Sequence, residues 1–444
     1  MADSSTEQGA SARAARPIFG VIEAQREERG APPPRSHCRA DMRVIVAAAL
    51  AAALLIAPSA VSAPRLPLPT RLAHALEVPP LSAADSGAIA VDLSSGGIVF
   101  ERNADTPLAP ASNEKLPVTF AALRALGPGY RFPTEVLGTG GLVGTTWKGD
   151  LYLKGYGDPS LTSNGLARLA VALKRQGIVR VDGRVIGDES WFDSRRTAPG
   201  WKSAFYINEC SPLSALVVDR GVYENHIAPR PAVAAAGRFR QILRKQGITT
   251  GGVVVGKAPA TASVLARILS PPLSRIVEFM DSQSDNFTAE MLLKQLGAVR
   301  GAGGTSAAGA AVVLDELREG GIPLAGVHIA DGSGLSLEDR LTVRTLAALL
   351  ISFWNDPSMH ATVWGALPVA GISGTLKNRL ETAPARGVVR AKTGTTDEAS
   401  ALSGYVRSRY AFSVLENGSP VPYWSAHTAE DRFVTALAAA SAEN

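Results

Sequence analysis

Ser112 and Lys115 stand three residues apart at the head of a stretch, residues 111–126, whose apolar residues fall at helical spacing. That spacing puts a hydroxyl and an amine on one helix face. A serine hydroxyl becomes a competent nucleophile only when a base takes its proton. A neutral lysine amine can do this if burial and nearby positive charge pull its pKa down from ~10.4. The chain has ten lysines, and Ser-x-x-Lys occurs once. Two further motifs follow it, each also occurring once: Ser284-Asp285-Asn286 and Lys392-Thr393-Gly394. Alone, each motif has a plain structural reading: an exposed helix face, a helix N-cap, a turn at a strand end. In this order they supply a nucleophile, a base, a second hydroxyl and a second cation, the inventory of a serine acyl-transfer site.

The roles follow from the residue types. Ser112 is the expected nucleophile and Lys115 its base. Ser284 is expected to relay a proton to the leaving group. Asn286 is expected to accept from Lys115 and to donate its amide to the substrate. Lys392 can supply the positive charge that lowers the Lys115 pKa. With Thr393 it is also expected to hold a terminal carboxylate by charge-assisted contacts. Lys392-Thr393-Gly394-Thr395 reads as a strand, and an edge strand docks a peptide by main-chain hydrogen bonds. Gly394 leaves room for a close approach. The backbone N–H groups of Ser112 and Thr395 are expected to form an oxyanion hole, whose donors are worth about 3–4 kcal/mol each in comparable sites.

These residues need elements to hold them. Residues 88–102 read as a β-hairpin. Residues 111–126 read as a helix stopped by Gly127-Pro128-Gly129, with Pro117 tolerable because it lies near the helix start. Residues 136–143, 150–155, 179–187 and 252–256 read as strands, and 166–176 and 232–246 as helices. This middle region has no second nucleophile–base pair and reads as an inserted α/β domain. Helical spacing returns at 271–281, 287–299, 306–319 and 343–355. Strands follow at 388–392, 401–406 and 411–415, and a helix at 428–440. An α/β (α+β) fold is expected: an antiparallel sheet flanked by helices and built from both ends of the exported chain. The expected division is a catalytic domain of residues 86–132 and 262–444, an insert of 133–261, and a proline-rich linker of 64–85.

The bulk composition narrows the class. Across 444 residues, 46% hydrophobic and 19% charged is the profile of an ordinary globular protein. A net charge of +5, with no basic run interleaved with aromatics, gives no case for nucleic acid. Two cysteines, Cys38 and Cys210, cannot make a disulfide framework, and the six histidines are scattered, so no metal site is expected. Cys210 reads as a small buried apolar thiol. At the N-terminus, residues 1–41 lack hydrophobic periodicity and read as disordered or as an extension before the true start. Met42-Arg43, the apolar run 44–57 and Val61-Ser62-Ala63 read as a secretory signal, residues 42–63, cleaved after Ala63. The run is shorter than the ~20 residues a membrane span needs. The working part is therefore expected outside the cytoplasmic membrane, in the periplasm or the cell-wall zone.

From about residue 88 to the C-terminus the chain resembles the D-Ala-D-Ala carboxypeptidase/endopeptidase family, the class C low-molecular-mass penicillin-binding proteins. Beyond the three motifs, the resemblance rests on Gly155-Tyr156-Gly157-Asp158-Pro159, Val181-Asp182-Gly183, Gly187-Asp188-Glu189-Ser190-Trp191-Phe192, Ala198-Pro199-Gly200-Trp201, Asp331-Gly332-Ser333-Gly334-Leu335-Ser336 and Leu367-Pro368. The spacing agrees: Ser112 to Ser284 is 284 − 112 = 172 residues, room for an insert that a class A β-lactamase lacks. The resemblance implies the penicillin-binding/β-lactamase-like transpeptidase fold and an acyl-enzyme on Ser112. It implies peptidoglycan stem peptides as substrate, β-lactams as inhibitors and no cofactor. It also implies that Asp188 faces the substrate's side-chain amine. A β-lactamase or esterase on the same fold, or a non-catalytic wall-binding protein, are the alternatives. Three departures from the family pattern stand out: a shortened insert after residues 219–228, Leu337 where family members commonly carry Arg, and a tight turn at Arg407-Ser408-Arg409.

Overall fold

The computed structural model describes residues 66–442. The 1–41 extension, the 42–63 signal and Cys38 lie outside the described residues. In chain order, helix α1 (Leu68–Ala75) precedes the hairpin β1 (Ser86–Asp92) and β2 (Ile98–Arg102), and α2 (Lys115–Leu126) follows. The middle of the chain holds β3 (Pro133–Gly138), β4 (Leu151–Gly155), α3 (Ser163–Arg175), β5 (Val185–Asp188), α4 (Pro231–Lys245), β6 (Val253–Val255) and β7 (Ser263–Leu269). Helices α5 (Leu273–Gln283), α6 (Asn286–Arg300), α7 (Ser306–Glu319), α8 (Val343–Asn355) and α9 (Pro357–Ala366) come next. Strands β8 (Val389–Thr395), β9 (Ala399–Val406) and β10 (Tyr410–Asn417) and helix α10 (Tyr423–Ala440) close the chain.

The first sheet runs β8-β9-β10-β1-β2 and is antiparallel throughout. Its centre joins the two ends of the chain, since β1 pairs with β10 from Ser86 opposite Glu416 to Asp92 opposite Tyr410. Side chains alternate across a strand, and the pattern of β1 uses both faces. Ile89 and Val91 enter one core with Leu116, Phe120, Met280 and Phe353. Ala88 and Ala90 enter the other with Leu72, Phe412 and Phe433. Both faces are therefore covered, one by the central helices and the other by α1 and α10.

Helix α2 carries Leu116, Val118, Phe120, Ala121, Ala122 and Leu123, all buried. A helix apolar all round belongs inside a core, and α2 packs against α5, α6, α7 and α8. Pro117 is its third residue, where a backbone N–H has no helical partner to lose.

The second sheet runs β6-β5-β4-β3-β7, parallel at β6/β5/β4 and antiparallel at β4/β3/β7. Its core joins Val136, Leu151 and Leu153 to Leu166 and Leu169 of α3 and Phe239 and Leu243 of α4. Strand β7 pairs with β3 from Ser263 opposite Gly138 to Leu269 opposite Pro133. The second sheet thus runs past residue 261, where the insert was expected to end. The shortened insert takes a definite form. Val222–Tyr223 and His226–Ile227 pair around Glu224 and Asn225, both at positive φ, the conformation of a two-residue type I′ hairpin turn. The chain then enters α4 at Pro231.

The linker expectation also needs correction. Residues 64–85 are not a bare linker. Leu68–Ala75 is helical, and Leu72 is fully buried against the α10 side of the first sheet. The prolines misled: Pro67 and Pro69 stand at the helix entry, where proline is tolerated, and the buried pair Leu72 and Ala75 was the overlooked signal. Helix α9 was also missed, because its apolar residues do not form one stripe.

Candidate active site

Ser112 lies in a tight 3-10 turn, Ala111–Glu114, that feeds directly into α2. Ala111 before it has φ 44°, a conformation that costs a residue with a Cβ of order 1–3 kcal/mol. Lys115, the first residue of α2, is fully buried. Its Nζ donates to Ser112 Oγ at 2.8 Å, Asn286 Oδ1 at 2.8 Å and the Ser333 carbonyl at 2.6 Å. Burial lowers the Lys115 pKa, against the opposing pull of Asp331, Asp285, Glu290 and Asp281.

Ser284 caps α5 in the left-handed conformation, φ 56°. Asp285 is the N-cap of α6 and accepts from the Thr288 N–H at 2.8 Å. The helix-cap reading holds, and the cap bends the chain so that Ser284 and Asn286 line one cleft. Ser284 Oγ accepts from Lys392 Nζ at 2.7 Å. Lys392 is fully buried in β8. Burial, then the neighbouring Lys115, depress its pKa well below the usual lysine value, and Asp281 opposes them. Asp281 itself, fully buried and accepting from Thr119 Oγ1 at 2.8 Å, is pushed up to about 6 by burial, against the pull of Lys392 and Lys115.

Strand β8 is the edge of its sheet. Gly394 packs so close to the nucleophile that a Cβ there would lie 3.0 Å from the Ser112 backbone nitrogen. Ser112, Ser284, Asn286, Thr393, Gly394 and Thr395 line one open cleft of about 320 Å³. A more apolar cavity of about 420 Å³ lies under Leu161 and Phe279. It holds no nucleophile–base pair, and we place the chemistry in the smaller cleft.

The Asn286 amide spends one of its two N–H groups on the Glu209 carbonyl at 3.1 Å, where the 189–217 segment packs across α6 through Cys210, Phe287 and Met291. Cys210 is accordingly buried. Asp188 is not brought to the cleft. It is fully buried at the end of β5, where it accepts from the Ser190 N–H at 2.9 Å and the Ala258 N–H at 2.9 Å, with Lys154 at 3.7 Å. Those contacts use its oxygens to tie the second sheet together.

Sequence reading also missed the supports of Lys115. Asp331 accepts from the N–H groups of Ser333, Gly334 and Ser336 and from Trp201 Nε1. Glu290 accepts from those of Gly332 and Ser333. This folds the Asp331–Ser336 loop so that the Ser333 carbonyl meets Lys115. The loop's signal was Asp, Ser and Gly in close succession, side chains that bond their own backbone. Burial, helped by Asp331, pushes Glu290 up to about 8. Glu114 is raised by burial, then by Asp331 and Glu290, and neither of its carboxyl oxygens has a partner among the described residues.

A serine–lysine couple, a second serine–lysine couple and an edge strand over the nucleophile's amide define the class of penicillin-recognising serine enzymes. Within that class the chain belongs to the D-Ala-D-Ala carboxypeptidase 3 (S13) family, which it matches over residues 68–233 and 226–440. The two matched segments meet at residues 226–233, where the short hairpin leads into α4. A D-alanyl-D-alanine carboxypeptidase of Actinomadura sp. (strain R39) is 33% identical over 433 residues, covering 78% of this chain and 80% of that protein. A carboxypeptidase of Mycobacterium tuberculosis is 31% identical over 341 residues, covering 72% of each. The solved structure of penicillin binding protein 4 from Haemophilus influenzae superposes with a TM-score of 0.73 at 24% identity, covering 84% of this chain and 98% of that one, which establishes the shared fold.

Proposed function

We propose that this chain hydrolyses the terminal D-Ala-D-Ala bond of peptidoglycan stem peptides, or a cross-bridge between stems, through an acyl-enzyme on Ser112. The observation that carries the reading is the triple contact of Lys115 Nζ with Ser112, Asn286 and Ser333. A neutral amine has two N–H groups. With those on Asn286 Oδ1 and the Ser333 carbonyl, its lone pair is left pointing at Ser112 Oγ. Lys115 takes the Ser112 proton as the oxygen attacks the penultimate D-Ala carbonyl. The oxyanion is held by the Ser112 and Thr395 N–H groups. The leaving amine receives a proton from Ser284, which is resupplied through Lys392, and D-Ala departs. Water then adds to the ester and gives up its proton through Ser284 to Lys392, which restores that pair, and Ser112 recovers its own proton from Lys115.

The same geometry supports acylation by β-lactams, which place a strained amide where the peptide bond lies. Export is part of the proposal. Its substrate lies outside the cytoplasmic membrane, residues 42–63 carry the pattern of a secretory signal, and among the described residues no helix is long and apolar enough to cross a membrane. The test is release of D-Ala from a soluble stem pentapeptide beside turnover of nitrocefin. D-Ala release with slow nitrocefin turnover is expected. Rapid nitrocefin turnover with no D-Ala release would show a β-lactamase instead.

A further inference from the structure

One cationic side chain lines the cleft, and it is Arg379. Lys115 and Lys392 are both fully buried. Lys392 Nζ points inward, to Ser284 Oγ at 2.7 Å and the Thr393 carbonyl at 2.8 Å. The carboxylate contact expected of Lys392 therefore needs another donor.

A tight turn brings Arg379 to the right end of the cleft. The Gly371 N–H donates to the Arg379 carbonyl at 2.9 Å, and the Arg379 N–H to the Leu376 carbonyl at 3.1 Å. The fold-back sets Thr375 and Arg379 on the same cleft as Thr393, and the Thr375 and Thr393 hydroxyls meet at 2.7 Å. Two acids hold the guanidinium from behind. Nε donates to Asp431 Oδ1 at 2.7 Å, and Nη2 to Glu430 Oε2 at 2.6 Å and the His427 carbonyl at 3.4 Å. Nη1 has no partner among the described residues. Glu430 is fixed in turn by Ser400 Oγ at 2.6 Å. A guanidinium clamped on one edge loses little freedom when its other edge binds, and its planar fork suits a carboxylate.

We propose that Arg379 is a substrate-binding residue that, with the Thr375 and Thr393 hydroxyls, receives the C-terminal carboxylate of the peptide substrate and selects for a free terminal D-residue. This rests on the acyl-enzyme reading above and adds a specificity determinant to it.

The experiment compares two peptides, one ending in D-Ala-D-Ala with a free carboxylate and the other in the C-terminal amide. The wild type is expected to prefer the carboxylate. Arg379→Gln is expected to lower kcat/KM on the carboxylate peptide by about ten- to a hundredfold, the size of one charge-assisted hydrogen bond, and on the amide by less than about threefold. Arg379→Lys keeps the charge without the fork and is expected to keep part of the preference. It also carries the test if the glutamine variant does not fold. Equal losses on both peptides, an unchanged ratio, or a wild type indifferent to the carboxylate would overturn the proposal. Amide turnover by Arg379→Gln with an unchanged ratio sinks the Arg379 assignment alone. Turnover by Ser112→Ala sinks the reading beneath it.

Discussion

Three acceptors surround Lys115 Nζ, and that number sets the proton arithmetic. As an ammonium, Lys115 satisfies all three. As an amine it keeps two and turns its lone pair to Ser112. Only the neutral form can accept the serine proton, and burial lowers the Lys115 pKa. The rate of acylation by a β-lactam should therefore rise with pH along a limb lying below the ~10.4 of an ordinary lysine. Stopped-flow acylation across pH reads this directly, and a rate that falls as pH rises would remove Lys115 as base. Gly394 gives a second prediction. A Cβ there would sit 3.0 Å from the Ser112 nitrogen, so Gly394→Ala should push β8, and with it the Thr395 N–H, away from Ser112. Acylation should slow on the order of 10²-fold, the cost of one such donor, with little change in Tm. These residue-scale facts were only partly legible in the sequence. Type and spacing picked out Ser112, Lys115, Ser284, Asn286 and Lys392, which the fold brings into contact in two groups. The Ser333 carbonyl and Asp281 beside them were not legible, because a backbone carbonyl has no residue type, and an acid far along the chain shows its partners only once folded.

Elements carry the next level. Helix α2 places its first residue inside a core because nearly every face of it is apolar, and that composition was readable directly. The cap at Asp285 turns α5 into α6 with Ser284 at the bend, and there too local chemistry and site coincide. Helix α1 was hidden by the prolines around it, and β7 was not recognised because its alternation is broken where the register shifts between Val264 and Ala266. Asp188 looked like a site residue by resemblance, yet its carboxylate accepts from the backbone N–H groups of Ser190 and Ala258, in the loops just beyond β5 and β6. The burial of Leu72 makes α1 part of the folded body. Leu72→Ala should lower stability by about 2–5 kcal/mol, measured by denaturant unfolding. A passive linker would show no change.

At the scale of the whole molecule, the 172-residue gap between the two serines becomes architecture. The second sheet, β3 to β7, fills it, and the chain returns through α5 to the same core that α2 entered. The two parts are joined at the site itself. Phe192 and Leu213 from the insert pack with Phe287 and Leu335, and Trp201 Nε1 donates to Asp331 at 2.7 Å, behind the loop that supports Lys115. The insert thus braces Lys115 as well as extending the fold. The first sheet needs both flanks of the insert, so Ser112, in the turn before α2, and strand β8 meet only when the chain has closed on itself. Labelling with fluorescent penicillin, read by intact mass on the wild type beside Ser112→Ala, tests that assembly most directly. The account predicts one covalent adduct on the wild type and none on the variant. Equal labelling of both would contradict it.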